Sequence, residues 1–234
     1  MTNALDVEHL TVRFGTTEVI RDLSFGVPRG TSLAIIGPNG AGKTVLFKAL
    51  IGSTPYEGTI RWAEDTKLGY VPQKLDIERD LPLSGRDFLR AKAAISKVSR
   101  RDVAAALALV GLEPAILSAP IGTMSGGQFQ RLLVAFALIG NPNVVLLDEP
   151  AAGIDEPGEE KINTMIQRLQ EERGVTVLLI SHDLSIVYQH ATAVLCMSRT
   201  NPCFGVPQKV LTPETLRELY GTGVGFHVHD HDRN

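Results

Sequence analysis

Cysteine is scarce in this sequence: Cys196 and Cys203 are the 2 in 234 residues. Two thiols cannot build a disulfide framework and lack the close pairing of a metal knuckle, so both read as small apolar residues in or near a core. A dominant charge is lacking as well. The formal net charge of -3 supplies no basic field, and nucleic acid is not expected as a partner. No apolar run approaches the roughly 18 to 20 residues of a membrane-spanning helix. The longest, residues 132–139 and 175–180, read as a helix face and a strand. The first residues show no basic start followed by an apolar block, so no secretory signal is expected. A cytoplasmic chain follows, with any membrane role coming through a partner. Internal repeats and low-complexity tracts are also missing. What is present is ordinary globular composition, 44% hydrophobic and 21% charged, enough for a sizeable buried core.

Short runs rich in apolar and β-branched residues alternate with helical patterns, which predicts an α/β fold with a parallel-rich sheet. Residues 31–36 read as a strand running into a Gly-rich loop, and residues 42–50 as a helix with Val45, Leu46, Ala49 and Leu50 on one side. Residues 144–147 and 175–180 are continuous apolar runs, suited to strands buried on both faces. Between them Ile162, Met165, Ile166 and Leu169 share a helix face, so the three segments form a crossover unit. Residues 5–27 read as an antiparallel β ribbon turning near Gly15. Residues 85–117 read as helical, with Val103, Leu107 and Val110 at helix spacing. One domain over residues 1–221 is expected, with a helical subdomain inserted at about 74–123. Residues 222–234 read as a flexible tail carrying His227, His229 and His231, whose histidines are taken as incidental.

Gly37-Pro38-Asn39-Gly40-Ala41-Gly42-Lys43-Thr44 fits G-x-x-x-x-G-K-S/T at every fixed position, between a strand and a helix. Glycines let backbone amides turn inward around a phosphate, and the following helix N-terminus adds a favourable dipole. Lys43 is placed to meet the β- and γ-phosphates of ATP and Thr44 to offer a hydroxyl to Mg²⁺. Asp148 and Glu149 follow the strand at 144–147 directly. Ligand sites of open α/β sheets lie beyond the carboxyl ends of strands, so both acids reach the nucleotide edge. Asp148 reads as the Mg²⁺ carboxylate and Glu149 as the general base for the attacking water.

Met124-Ser125-Gly126-Gly127-Gln128 resembles the L-S-G-G-Q signature of the ATP-binding cassette (ABC) family. Ser125 can cap the helix read over 129–139, while the glycines bare its amides as a second anion site. The resemblance extends over most of the chain. It implies a Q-loop at Gln73, contacting Mg²⁺ and water, and a D-loop at Asp155 in the dimer contact. It also implies a switch histidine at His182 and adenine stacking on Phe14. It further implies that Ser125, Gly126, Gly127 and Gln128 meet the nucleotide held by a second copy, so that two chains form a head-to-tail dimer. Met124 stands where the family has leucine, and Phe14 lacks the hydroxyl of the usual tyrosine.

For a chain with no membrane span of its own, the resemblance implies transmembrane permease partners, docked through a groove near residues 73–90, and a place on the cytoplasmic face of the membrane. The stretch 194–221, with Cys196-Met197-Ser198-Arg199 and Leu219-Tyr220-Gly221, resembles ATPases of manganese, zinc or iron importers, as does Arg79-Asp80-Leu81-Pro82-Leu83. Metal-ion import would add a substrate-binding protein. The alternatives are an importer or exporter of another substrate, or a soluble family member such as a cluster-assembly factor.

Overall fold

The computed structural model describes residues 2–75, 81–152, 154, 156–198 and 202–221. The central sheet is built from runs that only a doubly covered strand would tolerate. Strands β3 (Ser32–Ile36), β6 (Val144–Asp148) and β7 (Thr176–Ile180) are buried at every residue. At about 1.5 to 3 kcal/mol for each fully buried Leu, Ile or Val, these runs drive the core's assembly. With β5 (Leu68–Val71), β8 (Ala193–Cys196) and β9 (Cys203–Gly205) they form a six-stranded sheet ordered β5-β6-β7-β3-β8-β9. Pairings from β5 through β8 are parallel, and β9 closes the edge antiparallel to β8.

Two strands, β1 (Asn3–Phe14) and β2 (Thr17–Pro28), form the expected antiparallel ribbon, joined through Gly15 and Thr16. The ribbon belongs to a separate three-stranded sheet, β2-β1-β4, completed by β4 (Glu57–Trp62). Its inner face buries Leu5, Leu10, Val12 and Val27 over Leu46, Phe47 and Leu50 of α1 (Lys43–Leu50). Its outer face carries ion pairs, Arg13 with Glu18 and Glu57 and Arg61 with Glu8. Exposed pairs of this kind add little stability. No periodic apolar signal marks β4, which is why the third strand was not legible.

Two helices, α2 (Gly85–Ser96) and α3 (Arg100–Val110), followed by 3-10 turns at Ile116–Ser118 and Ile121–Thr123, fill the segment read as helical. Ser84 and Ser99 cap the two helices, each accepting from an aspartate amide three residues on. Ser84 also forms a β-bridge with Pro120, drawing the two ends of the insert together. Leu89, Ala106, Val110, Leu117 and Ile121 bury against Leu132 and Leu133 of α4 (Gly126–Leu138). That helix starts earlier than the 129–139 reading, because its glycines lie inside its first turn. The crossover helix α5 (Glu156–Arg173) buries Ile162, Met165, Ile166 and Leu169 as expected.

The chain ends in α6 (Leu184–His190), α7 (Pro207–Val210) and α8 (Pro213–Tyr220), packed on β8 through Leu211, Leu216 and Leu219. The cysteines require a correction. Strand β9 returns with Cys203 opposite Cys196, and a disulfide joins them, with Cα atoms 4.8 Å apart. Cys196 is indeed buried, but the pairing depends on a return strand of three residues that no apolar run announces. Gly153, Asp155, Arg79, Asp80, Arg199 and the 222–234 tail with its histidines lie outside the described residues.

Candidate active site

The carboxyl ends of β3, β5, β6 and β7 lead into the phosphate loop, Gln73, Glu149 and His182 respectively, so residues distant in sequence share one edge of the sheet. In the loop, Gly37 has φ 148°, and a Cβ there would lie 2.4 Å from the Met197 carbonyl oxygen. Gly42, the N-cap of α1 at φ 94°, would drive a Cβ to 2.9 Å from Val19 Cγ1. A side chain is excluded at Gly37 by backbone and would be strained at Gly42 by its positive φ. The Ala41 amide donates to the Pro38 carbonyl at 3.2 Å, folding the loop over exposed Asn39 and Gly40. Lys43 is buried, and its Nζ donates to the carbonyls of Gly37 at 2.8 Å and Pro38 at 3.1 Å. Burial holds its pKa below that of a free lysine, against the opposing pull of Glu149 and Asp148.

Asp148 is completely buried at the end of β6. Thr44 Oγ1 donates to its Oδ1 at 3.3 Å, while among the described residues Oδ2 has no hydrogen-bond partner. Burial raises its pKa, the Thr44 bond opposes the rise and neighbouring Glu149 adds to it. A buried carboxylate oxygen without a partner, next to a threonine hydroxyl, is a hard-oxygen donor set that fits a small divalent cation.

Glu149 takes φ 49°, an uncommon backbone state for a residue with a side chain, and its amide donates to the Ile180 carbonyl at 3.1 Å. Both carboxylate oxygens are engaged. Gln73 Nε2 donates to Oε2 at 2.6 Å, and His182 Nε2 lies 2.5 Å from Oε1. The three candidates Gln73, Glu149 and His182 are thus brought into one network, with Asp148, Thr44 and Lys43 beside it. Gln73 bonds the Glu149 carboxylate rather than Asp148.

Ser125 caps α4: its Oγ accepts from the Gln128 amide at 3.2 Å, and Gln128 Oε1 accepts from the Ser125 amide at 3.0 Å. Ser125 and Gly126 are exposed, and Gly127 lies against Ile154. Phe14 sits at the hairpin tip with 52% of its surface exposed, a free aromatic face. The signature segment thus belongs to the α4 terminus and Phe14 to the ribbon, each on its own element. Sequence reasoning missed Arg131, which donates to the carbonyls of Gly127 at 3.2 Å and Gly111 at 3.0 Å and so ties the signature turn to the end of α3. It also missed Tyr220 as a site neighbour, whose hydroxyl accepts from the Gly37 amide at 3.2 Å. No spacing rule flags either residue.

The sequence profile of the ABC transporter family matches residues 20–152. A zinc import ATP-binding protein, ZnuC, of Jannaschia sp. (strain CCS1) is 40% identical over 220 residues, spanning 94% of this chain and 89% of that protein. Another ZnuC, from Roseobacter denitrificans, is 37% identical, spanning 94% of this chain and 85% of that protein. Among solved structures, one described as an inward-facing ABC transporter of metal-chelate type superposes with a TM-score of 0.84 at 25% identity, covering 94% of this chain and 89% of that one. The chain belongs to the ABC transporter family, as an ATP-binding subunit whose ATP hydrolysis is coupled to transport.

Proposed function

We propose that this ATPase powers zinc import, with Glu149 as the base that activates the hydrolytic water. The cargo rests on likeness to the ZnuC proteins. The mechanism rests on one observation: the Glu149 carboxylate is held at both oxygens, by Gln73 and His182, beside the phosphate loop. The loop amides of residues 37–44 and Lys43 bind the ATP phosphates, and Phe14 stacks on the adenine. Thr44 and Asp148 hold Mg²⁺, which neutralises phosphate charge when bound. Glu149 accepts the proton of the attacking water, and His182 and Gln73 keep its carboxylate aimed. Ser125, Gly126, Gly127 and Gln128 present the capped N-terminus of α4 to the γ-phosphate on a second copy. Each site is complete only in the head-to-tail pair.

Permease subunits hold the ATPase at the cytoplasmic face of the membrane, and a substrate-binding protein delivers the ion. Their docking groove is the cleft of about 220 Å³ lined by Gln73, Leu75, Phe129 and Leu133, between the Q-loop and α4. Residues 1–221 act as one domain with the helical insert at 74–123.

The test is zinc uptake and ATP turnover by the complex reconstituted in vesicles with its permease. Glu149→Gln is expected to cut both by a factor on the order of 100 or more while retaining ATP. Turnover at the wild-type rate by Glu149→Gln would remove it as the base, and ATP-driven uptake of another cargo but not of zinc would remove the zinc assignment.

A further inference from the structure

Helix α8 ends against the phosphate loop. Thr212 caps it by accepting from the Thr215 amide at 3.2 Å, Pro213 opens it, and Leu216 and Leu219 are buried. The Gly221 amide donates to the Arg217 carbonyl at 2.8 Å, closing the helix directly after Tyr220. Elsewhere in the same C-terminal cluster the Tyr188 hydroxyl donates to the Leu211 carbonyl at 2.8 Å, a bond that does not involve the phosphate loop. The Tyr220 ring packs on a buried cluster that includes Ile36, Val187 and Cys196. Its phenol is raised above the ordinary tyrosine pKa by burial, against the Gly37 bond, and so stays un-ionised as a neutral acceptor.

Gly37 is gripped at three points. The Tyr220 hydroxyl takes its N–H, the Lys43 ammonium takes its carbonyl, and the Met197 carbonyl oxygen fills the place a Cβ would need. The Lys43 grip is the one that must change, since the same ammonium meets phosphate when ATP binds. The other two are independent of nucleotide. With a buried amide that has no other acceptor among the described residues, Gly37 depends on a hydroxyl 183 positions away in sequence.

We propose that Tyr220 is a positioning residue of the ATP site: its hydroxyl fixes the entry to the phosphate loop, so that the loop amides keep their phosphate-binding geometry while Lys43 transfers from Gly37 to ATP. The proposal rests on the assignment of residues 37–44 as the phosphate cradle. Its consequence is that ATP affinity depends on a helix that touches no nucleotide.

The experiment compares Tyr220→Phe, Tyr188→Phe and Lys43→Met in the full chain, by titration with MgATP and by thermal melting. Tyr188→Phe removes the other tyrosine hydroxyl bond of the same C-terminal cluster, so it reports what a purely structural loss does. Tyr220→Phe is expected to weaken ATP binding about fivefold, the size of one lost neutral hydrogen bond, while Tyr188→Phe leaves affinity unchanged at a similar melting cost. In the assembled transporter the Tyr220→Phe loss should fall on KM, with kcat little altered. Wild-type affinity in Tyr220→Phe, or equal weakening in both tyrosine variants, overturns the proposal. If Lys43→Met retains wild-type affinity, the cradle assignment has failed instead, and with it the basis of the proposal.

Discussion

The two segments proposed to bind phosphate are built on opposite plans. The phosphate loop hangs from a fully buried strand and is tethered by bonds from Gly37 to Tyr220 and Lys43 and from Thr44 to Asp148, with the Met197 carbonyl closing the space beside Gly37. Two of its charged groups, Lys43 and Asp148, are buried. The signature segment sits at an exposed helix start and is held by a reciprocal pair within itself, Ser125 with Gln128, plus the reach of Arg131. The first is an enclosed cradle whose charged side chains are already held in place. The second is a surface that acts on something brought to it. Substitutions in the two should therefore fail differently.

The largest effect is expected at Lys43. Lys43→Met removes a charge-assisted contact to phosphate, and ATP affinity should fall by roughly 100-fold. Stability should move the other way or stay level. Burial depresses the lysine pKa, so the folded state holds the charged form against a desolvation cost that methionine does not carry. Calorimetric titration and a melting curve measure the two sides. A melting temperature several degrees lower would mean that the bonds from Nζ to Gly37 and Pro38 hold the loop together, reversing this account of the cradle.

The same contrast explains what was legible in sequence. Residues 37–44, 124–128 and 148–149 are contiguous motifs, and their chemistry could be read from residue type and order. Buried strands such as the one read at 144–147 were legible because continuous burial forces continuous apolar residues. The three-residue β9 and the exposed β4 were not, because pairing to a neighbour rather than a hydrophobic pattern makes them strands. Hence the disulfide between Cys196 and Cys203 stayed hidden. Arg131 and Tyr220 escaped for a related reason: each acts through hydrogen bonding to backbone groups, set by the fold and carrying no local pattern.

A smaller effect is expected at Ser125, where cap and phosphate contact can be separated. Ser125→Ala loses the cap and should cost about 1 kcal/mol, near 2 to 4 °C in melting temperature. Ser125→Asp keeps a good cap and a favourable helix dipole, so it should melt close to wild type. Under the dimer reading it places a carboxylate where the γ-phosphate must arrive. ATP binding to the isolated chain should survive, while ATP-driven dimerisation and turnover should be lost. Wild-type turnover in Ser125→Asp would end the assignment of this helix start as a phosphate site.

The smallest effect compares two capping boxes that differ in one partner. At α3, Ser99 pairs with Asp102, and at α4, Ser125 pairs with Gln128. Bonds from the Ser99 side chain and backbone lower the Asp102 pKa below 3.8. A depressed carboxylate contributes stability that is present above the unfolded pKa and lost as pH falls through the folded one. The melting difference between wild type and Asp102→Asn should therefore hold at neutral pH and shrink as pH drops below about 3.8. The cost of Ser125→Ala should not change with pH in this way, because glutamine does not titrate. A neutral partner is also what an anion site requires, since a carboxylate at position 128 would repel the phosphate that the capped amides are meant to receive. Parallel melting series at pH 7 and pH 3 decide it: if both boxes fade together in acid, the α4 cap depends on a charge outside the pair, and its neutrality is not what distinguishes it.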